Sequence, residues 1–103
     1  MNEIDARSLQ ERLAGPNPPL LVDVRNAPEL AAEGRIEGSV HIPMNELPGR
    51  LAEIPEDREV VTVCKVGMRS FNAAGWLRQL GRKALSLQGG MDRWKAVGLP
   101  VAR

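Results

Sequence analysis

Apolar positions along the chain follow two alternating rhythms. Leu9 and Leu13 stand four apart in a stretch that Asp5 can cap and Gly15 can end, which predicts a short helix from Ala6 to about Ala14. After a Gly15–Pro19 loop, Leu20-Leu21-Val22-Asp23-Val24 is a compact apolar run and predicts a buried strand. Asn26 can then cap, Pro28 sits early where a missing N–H does no harm, and Glu29 to Glu33 predicts a short helix stopped by Gly34. Ser39 to Ile42 predicts another short strand, closed by Pro43. Leu47, Leu51 and Ile54 give Met44 to Ile54 a helical spacing, which Pro48 should break or restart.

The second half repeats the alternation more strongly. Glu59 to Val63 predicts a strand, because Val60, Val61, Thr62 and Val63 are all β-branched. Arg69 to Leu80 predicts the clearest helix, with Ala73, Trp76, Leu77 and Leu80 on one face and Gly81 as its stop. Ala84 to Leu87 predicts a strand, Gly89-Gly90 a tight turn, and Met91 to Val97 a last helix before Gly98. Strands alternating with helices predict an α/β fold. Strands that are apolar on both faces predict a central, mostly parallel sheet with helices on each side, about five short strands in all.

Composition narrows the picture. The 103 residues suffice for one domain, expected over residues 1–103. Fourteen Lys and Arg against 13 Asp and Glu leave a net charge of +1, which argues against a nucleic-acid partner. With 43% hydrophobic and 26% charged residues, a globular chain is expected rather than a disordered one. Met1 to Gln10 lacks the apolar core of a secretory signal, and no apolar run reaches the length of a membrane span. The expected location is the cytoplasm, without membrane attachment. The one cysteine, Cys64, can form no intramolecular disulfide and cannot by itself build a cysteine zinc site.

Cys64 lies where chemistry is expected. In an open parallel sheet, ligands bind beyond the carboxyl ends of the strands. Cys64 ends the most β-branched strand, and Lys65, Val66, Gly67, Met68 and Arg69 lead from it into the strongest helix. A strand, a glycine-containing loop and a helix N-terminus form a cradle of backbone N–H groups for an anion. Lys65 and Arg69 add full charges, and together these features favour thiolate over thiol at Cys64. The competing reading is an inert, buried strand-end cysteine.

Four separated segments bring a family resemblance. They are Leu21-Val22-Asp23-Val24-Arg25; Glu29 to Pro43 (ELAAEGRIEGSVHIP); Cys64 to Ser70 (CKVGMRS); and Gly89-Gly90-Met91-Asp92-Arg93-Trp94. In this order, from Ile4 to Val101, the chain resembles a single-domain rhodanese, the thiosulfate sulfurtransferase family. Arg35 departs from the family, which often has His there, and the short N-terminus leaves only a stub for a first strand around Glu3 and Ile4.

The resemblance implies a rhodanese-like fold and a ping-pong sulfur transfer. Cys64 would attack the outer sulfur of a small anionic donor such as thiosulfate, sulfite would leave, and a thiophilic acceptor such as cyanide or a thiol would take the sulfur from the Cys64 persulfide. The N–H groups from Lys65 through Arg69 would stabilise that persulfide, and Lys65 and Arg69 would attract the donor. Val66 and Met68 would line the mouth. No metal or organic cofactor is implied. Asp23 and Arg25 have two readings: they orient the loop, or they are structural, with Arg25 paired to Glu29. His41 reads as structural, and Trp76 and Trp94 as core. Two alternatives remain. One is a persulfide relay or docking module serving a partner protein. The other is a cysteine phosphatase, disfavoured because four residues, not five, separate Cys64 from Arg69.

Overall fold

A computed structural model describes residues 2–103. The elements in chain order are β1 (Glu3–Ile4), α1 (Ala6–Leu13), β2 (Leu20–Asp23), α2 (Ala27–Glu33), β3 (Val40–His41), β4 (Glu59–Val63), α3 (Met68–Gln79), β5 (Lys83–Leu87) and α4 (Gly90–Ala96). Five parallel strands form one sheet in the order β1-β5-β4-β2-β3. The predicted α/β architecture holds, with a core on each face.

Period-two alternation along β4 divides the two cores. Val60 and Cys64 face one side with Val22, Val24, Ile42, Ala73, Ala74 and Leu77. Val61 and Val63 face the other with Leu9, Leu21, Leu87, Met91 and Trp94. Thus α3 covers one face, while α1 and α4 cover the other. All these strands need apolar side chains on both sides, which explains the unbroken apolar runs.

Caps fix several helix starts. Asp5 accepts the Ser8 N–H at 2.9 Å and opens α1. Asn26 and Glu29 form a reciprocal capping box at α2, where Pro28 sits in the first turn.

Two expectations need correction. Met44 to Ile54 is not α-helical but two 3-10 segments, Met44–Glu46 and Pro48–Glu53, with Arg50 outside helical geometry. Pro48 supplies no backbone N–H for a continuous helix and starts the second segment. On α3 the buried face is Ser70, Ala73, Ala74 and Leu77, leaving Leu80 39% exposed and Trp76 only half-buried. Small residues let α3 lie close on β4 and β5, so the larger Trp76 falls to the flank. Trp94, by contrast, is buried and donates from Nε1 to the Pro100 carbonyl at 2.8 Å.

Strand order positions the site. From β2 the chain moves to β3 on one side, and from β4 it moves to β5 on the other. The reversal falls between β2 and β4, and such a switch point opens a crevice beyond the strand ends. Asp23 and Val63 are register partners there, so Cys64 emerges beside Val24. No helix among the described residues is long and apolar enough to cross a membrane.

Candidate functional site

The loop after β4 wraps around the Cys64 sulfur. Cys64 is fully buried at the floor, while Val66 and Met68 stand 56% and 74% exposed above it. The Gly67 N–H donates to Sγ at 3.1 Å and the Ser70 N–H at 3.3 Å. These donors stand at the start of α3, where N–H groups lack intrahelical partners and the helix dipole is positive. Ser70 Oγ lies 3.3 Å from Sγ, 3.2 Å from the Gly67 carbonyl and 2.7 Å from Ser86 Oγ on β5. Thr62 Oγ1 donates to the Ser70 carbonyl at 2.7 Å and ties the first turn of α3 to β4. The surroundings of the sulfur are therefore two amide donors and one hydroxyl on a rigid strand–helix frame, and the amide donors are suited to stabilising negative charge.

Two glycines permit this geometry. Gly67 has φ of +106°, in the region L side chains rarely adopt, and a Cβ there would stand 3.2 Å from the Gly89 nitrogen. Gly90, at φ +57°, is tighter still: its Cβ would fall 2.5 Å from the carbonyl oxygens of both Cys64 and Lys65. Those two carbonyls accept from the first turn of α4, Met91 N–H at 2.8 Å and Asp92 N–H at 3.0 Å. The Gly89-Gly90 turn thus lets α4 seat directly on the loop, something turn chemistry alone did not announce.

Each cation of the loop has carboxylate partners. Arg69 donates through both terminal nitrogens to Glu29 on α2, at 2.8 Å each. Lys65 lies 3.2 Å from Glu33 and 3.2 Å from Asp92. Lys65 and Arg69, expected to attract an anionic donor, each pair with carboxylates 27 to 40 positions away in sequence. The hydrogen bonds that Lys65 donates to Asp92, then to Glu33, raise the Lys65 pKa, and the Glu29 carboxylate raises that of Arg69.

Glu29 shows the reciprocal effect. The Arg69 guanidinium outweighs partial desolvation, and with the Asn26 N–H it holds the Glu29 carboxyl down to about 2. Because the folded value lies below the ordinary value of 4.5, the pair stabilises the fold fully above pH 4.5. That contribution drains away as pH falls toward about 2. A Glu29→Gln variant is expected to lose about 1 kcal/mol at pH 6. In urea unfolding curves, its deficit against the parent should shrink below pH 4.5 and vanish below pH 2. A deficit independent of pH would show that the ion pair is not its source.

Asp23 and Arg25 turn out to pair with each other. Arg25 Nε donates to both Asp23 oxygens at 3.0 and 3.2 Å, and Nη2 donates to Asp23 Oδ2 and to the Gly34 carbonyl at 2.8 Å each. The alternative pairing of Arg25 with Glu29 is thereby replaced, since Glu29 is taken by Arg69. Both side chains are buried at the β2 end, and Arg25 reaches the end of α2 rather than the loop. The His41 imidazole meets the Arg25 carbonyl through Nε2 at 2.6 Å, in keeping with a structural role on the edge strand.

Of the expected site residues, Cys64 and Lys65 through Arg69 come together in one loop, with Asp23 and Arg25 behind it. Sequence reasoning missed Ser86, Glu33 and Asp92 as neighbours, and it saw Glu29 as the head of a family-like segment and a partner for Arg25, not as the partner of Arg69. A serine inside the apolar run of β5 was the one local signal for Ser86.

Comparisons with known proteins bear on this geometry. A family model, the Rhodanese-like domain, matches residues 5–97. A protein of Allochromatium vinosum named sulfurtransferase is 44% identical over 102 residues, covering 98% of this chain and 94% of that one. The thiosulfate sulfurtransferase GlpE of Pseudomonas aeruginosa is 36% identical over 93 residues, covering 89% of this chain and 79% of its own length. A solved structure from Staphylococcus saprophyticus superposes with a TM-score of 0.87 at 36% identity, covering 97% of this chain and 99% of that one.

Proposed function

The chain belongs to the rhodanese-like domain family, and we propose that it is a sulfurtransferase whose Cys64 carries a sulfane sulfur as a persulfide. The observation that carries the assignment of Cys64 is the pair of N–H donors from Gly67 and Ser70 on its sulfur, at the end of β4 and the head of α3. The Cys64 thiolate attacks the outer sulfur of thiosulfate or a similar donor. A new sulfur–sulfur bond forms, the old one breaks, and sulfite departs with the electron pair. A thiophilic acceptor, cyanide or a thiol, then attacks the terminal sulfur and restores the thiolate. The backbone N–H groups of Gly67 and Ser70 hold the anionic sulfur in both stages. The likeness to GlpE supports thiosulfate as one donor.

The phosphatase alternative loses ground on one contact. A cysteine phosphatase needs its loop arginine for the phosphate oxygens, whereas Arg69 spends both terminal nitrogens on Glu29. The test of the main reading is incubation with thiosulfate followed by intact mass. The expected result is a single added sulfur that cyanide removes as thiocyanate. Absence of both the adduct and the thiocyanate would refute it.

A further inference from the structure

A seam of hydroxyls runs through the apolar interior behind the loop. Thr62 on β4, Ser70 on α3 and Ser86 on β5 are all fully buried. Thr62 is accounted for by its bonds to the Ser70 and Leu85 carbonyls. The Ser86 hydroxyl has one partner among the described residues, Ser70 Oγ at 2.7 Å. A hydroxyl in a strand covered on both faces costs free energy unless its hydrogen bond repays desolvation.

The Ser86 hydroxyl supplies one proton, and the state of the Cys64 sulfur decides where it is needed. Ser70 Oγ has three neighbours: Sγ at 3.3 Å, the Gly67 carbonyl at 3.2 Å and Ser86 Oγ. A hydroxyl donates one proton and accepts through two lone pairs. With Cys64 as a thiol, the S–H donates to Ser70 Oγ and the Ser70 proton goes to the Gly67 carbonyl. With Cys64 as a thiolate, that S–H is gone. The Ser70 proton then turns to the sulfur by rotation about one bond, with the oxygen in place. The Gly67 carbonyl keeps the Phe71 N–H at 3.0 Å. The Ser70 oxygen is left with Ser86 as its one donor. Without Ser86, the thiolate state would contain an empty buried acceptor and the thiol state would not.

We propose that Ser86 is a positioning residue: its hydroxyl donates to Ser70 Oγ, so that the Ser70 hydroxyl can donate to the Cys64 thiolate. This rests on the sulfurtransferase reading above, in which that thiolate attacks the donor and later leaves from the persulfide. The thiol proton goes to solvent, and within the two serines only hydrogen bonds change.

Other charged and titratable groups surround the loop. Lys65 and Arg69 belong to it, and Arg69 feels the charge of Cys64. Glu29 and Glu33 come from α2, Asp92 from α4, Asp23 and Arg25 from the β2 end, and His41 from β3. Glu3 on β1 lines a hollow with Gly67. On β5 the charged residue is Lys83, at the far end from Ser86 and the loop. Substitution of Ser86 alters none of these charges, so a change in the pH profile reports the hydroxyl.

The experiment follows alkylation of Cys64 by iodoacetamide across pH, with thermal melting to confirm that each variant is folded. In Ser86→Ala the pH of half-maximal rate is expected to rise by about 0.5 to 1, the size of one lost buried hydrogen bond. Below that pH, kcat/KM for thiosulfate should fall about three- to tenfold, and above it should recover. Ser86→Thr keeps the hydroxyl and is expected to restore the parent profile. In a Ser70→Ala background, Ser86→Ala is expected to move the profile no further. A parent-like profile in Ser86→Ala, a threonine variant that follows the alanine, or an equal shift in the Ser70→Ala background overturns the proposal. Alkylation needs no sulfur donor, so the two readings fail separately. A shifted profile in a protein that takes no sulfur from thiosulfate upholds the role of Ser86 and removes the sulfurtransferase reading. Sulfur loading with an unmoved profile does the reverse.

Discussion

Cys64→Ser is expected to abolish sulfur uptake while leaving a folded protein. Serine places a hydroxyl where Gly67 N–H and Ser70 N–H now meet sulfur, so the cradle keeps an acceptor. A serine hydroxyl stays protonated at neutral pH and, with no histidine base beside it, does not accept a sulfane sulfur. His41 is the chain's one histidine and is bound to the Arg25 carbonyl. No second thiol exists to substitute. The loss in thiocyanate turnover should be at least about 10⁴-fold, as for other removed nucleophiles. Burying the smaller, more polar hydroxyl at a fully enclosed position should cost about 1 kcal/mol, a melting shift of about 4–8 °C. Intact mass and thermal unfolding on the same sample separate the two effects. Sulfur loading that persists in the serine variant would transfer the chemistry to another group and remove Cys64 from the mechanism.

The position of Cys64 was legible because its signals are local. Val60 to Val63 can hardly be anything but a strand, Gly67 supplies the turn, and the apolar spacing after Arg69 supplies the helix. Strand, loop and helix start are contiguous in sequence, so their junction could be read from it directly. The capping residues Asp5 and Asn26 were legible for the same reason, since each bonds within three residues. Even so, the face of α3 was legible only in part, through Ala73 and Leu77. Trp76 and Leu80 look like core by hydropathy, but Ala73, Ala74 and Ser70 fit the short distance to the sheet.

What could not be read was which carboxylate meets which cation. Glu29 and Glu33 share α2 at a spacing of four, and nothing nearby says that one clamps Arg69 and the other Lys65. Those pairings follow from the switch point, which brings the α2 side of β2 alongside the loop after β4. Ser86 is similar. It reaches Ser70 only because β5 lies next to β4 in the sheet, with Ser86 opposite Thr62. The same long-range contacts decide the electrostatics of the mouth. The carboxylate partners of Lys65 and Arg69 are set by those contacts and not by their neighbours in sequence.

The buried pair behind the loop carries the largest expected effect on stability. Asp23 accepts the Arg25 backbone N–H at 3.1 Å as well as the side-chain bonds, and the two side chains are 1% and 0% exposed. Asp23→Asn would leave the Arg25 charge buried with only the Gly34 carbonyl as a strong acceptor. Arg25 Nη1 already has no partner among the described residues. An uncompensated buried charge costs about 3–5 kcal/mol, a large part of the roughly 5–15 kcal/mol that holds a domain together. Urea unfolding should register that loss, with a melting temperature lower by about 15 °C or more. A double variant, Asp23→Leu with Arg25→Met, removes both charges and should recover much of the deficit, because an apolar pair of similar volume often matches a buried ion pair. Recovery would mark the pair as mutually compensating. Failure of the double variant would instead point to the Arg25–Gly34 bond, which fixes the end of α2 and so the seats of Glu29 and Glu33 beside the loop. In that case the β2 motif contributes to the site through the helix it anchors, and the ion pair is the means by which a buried arginine is tolerated there.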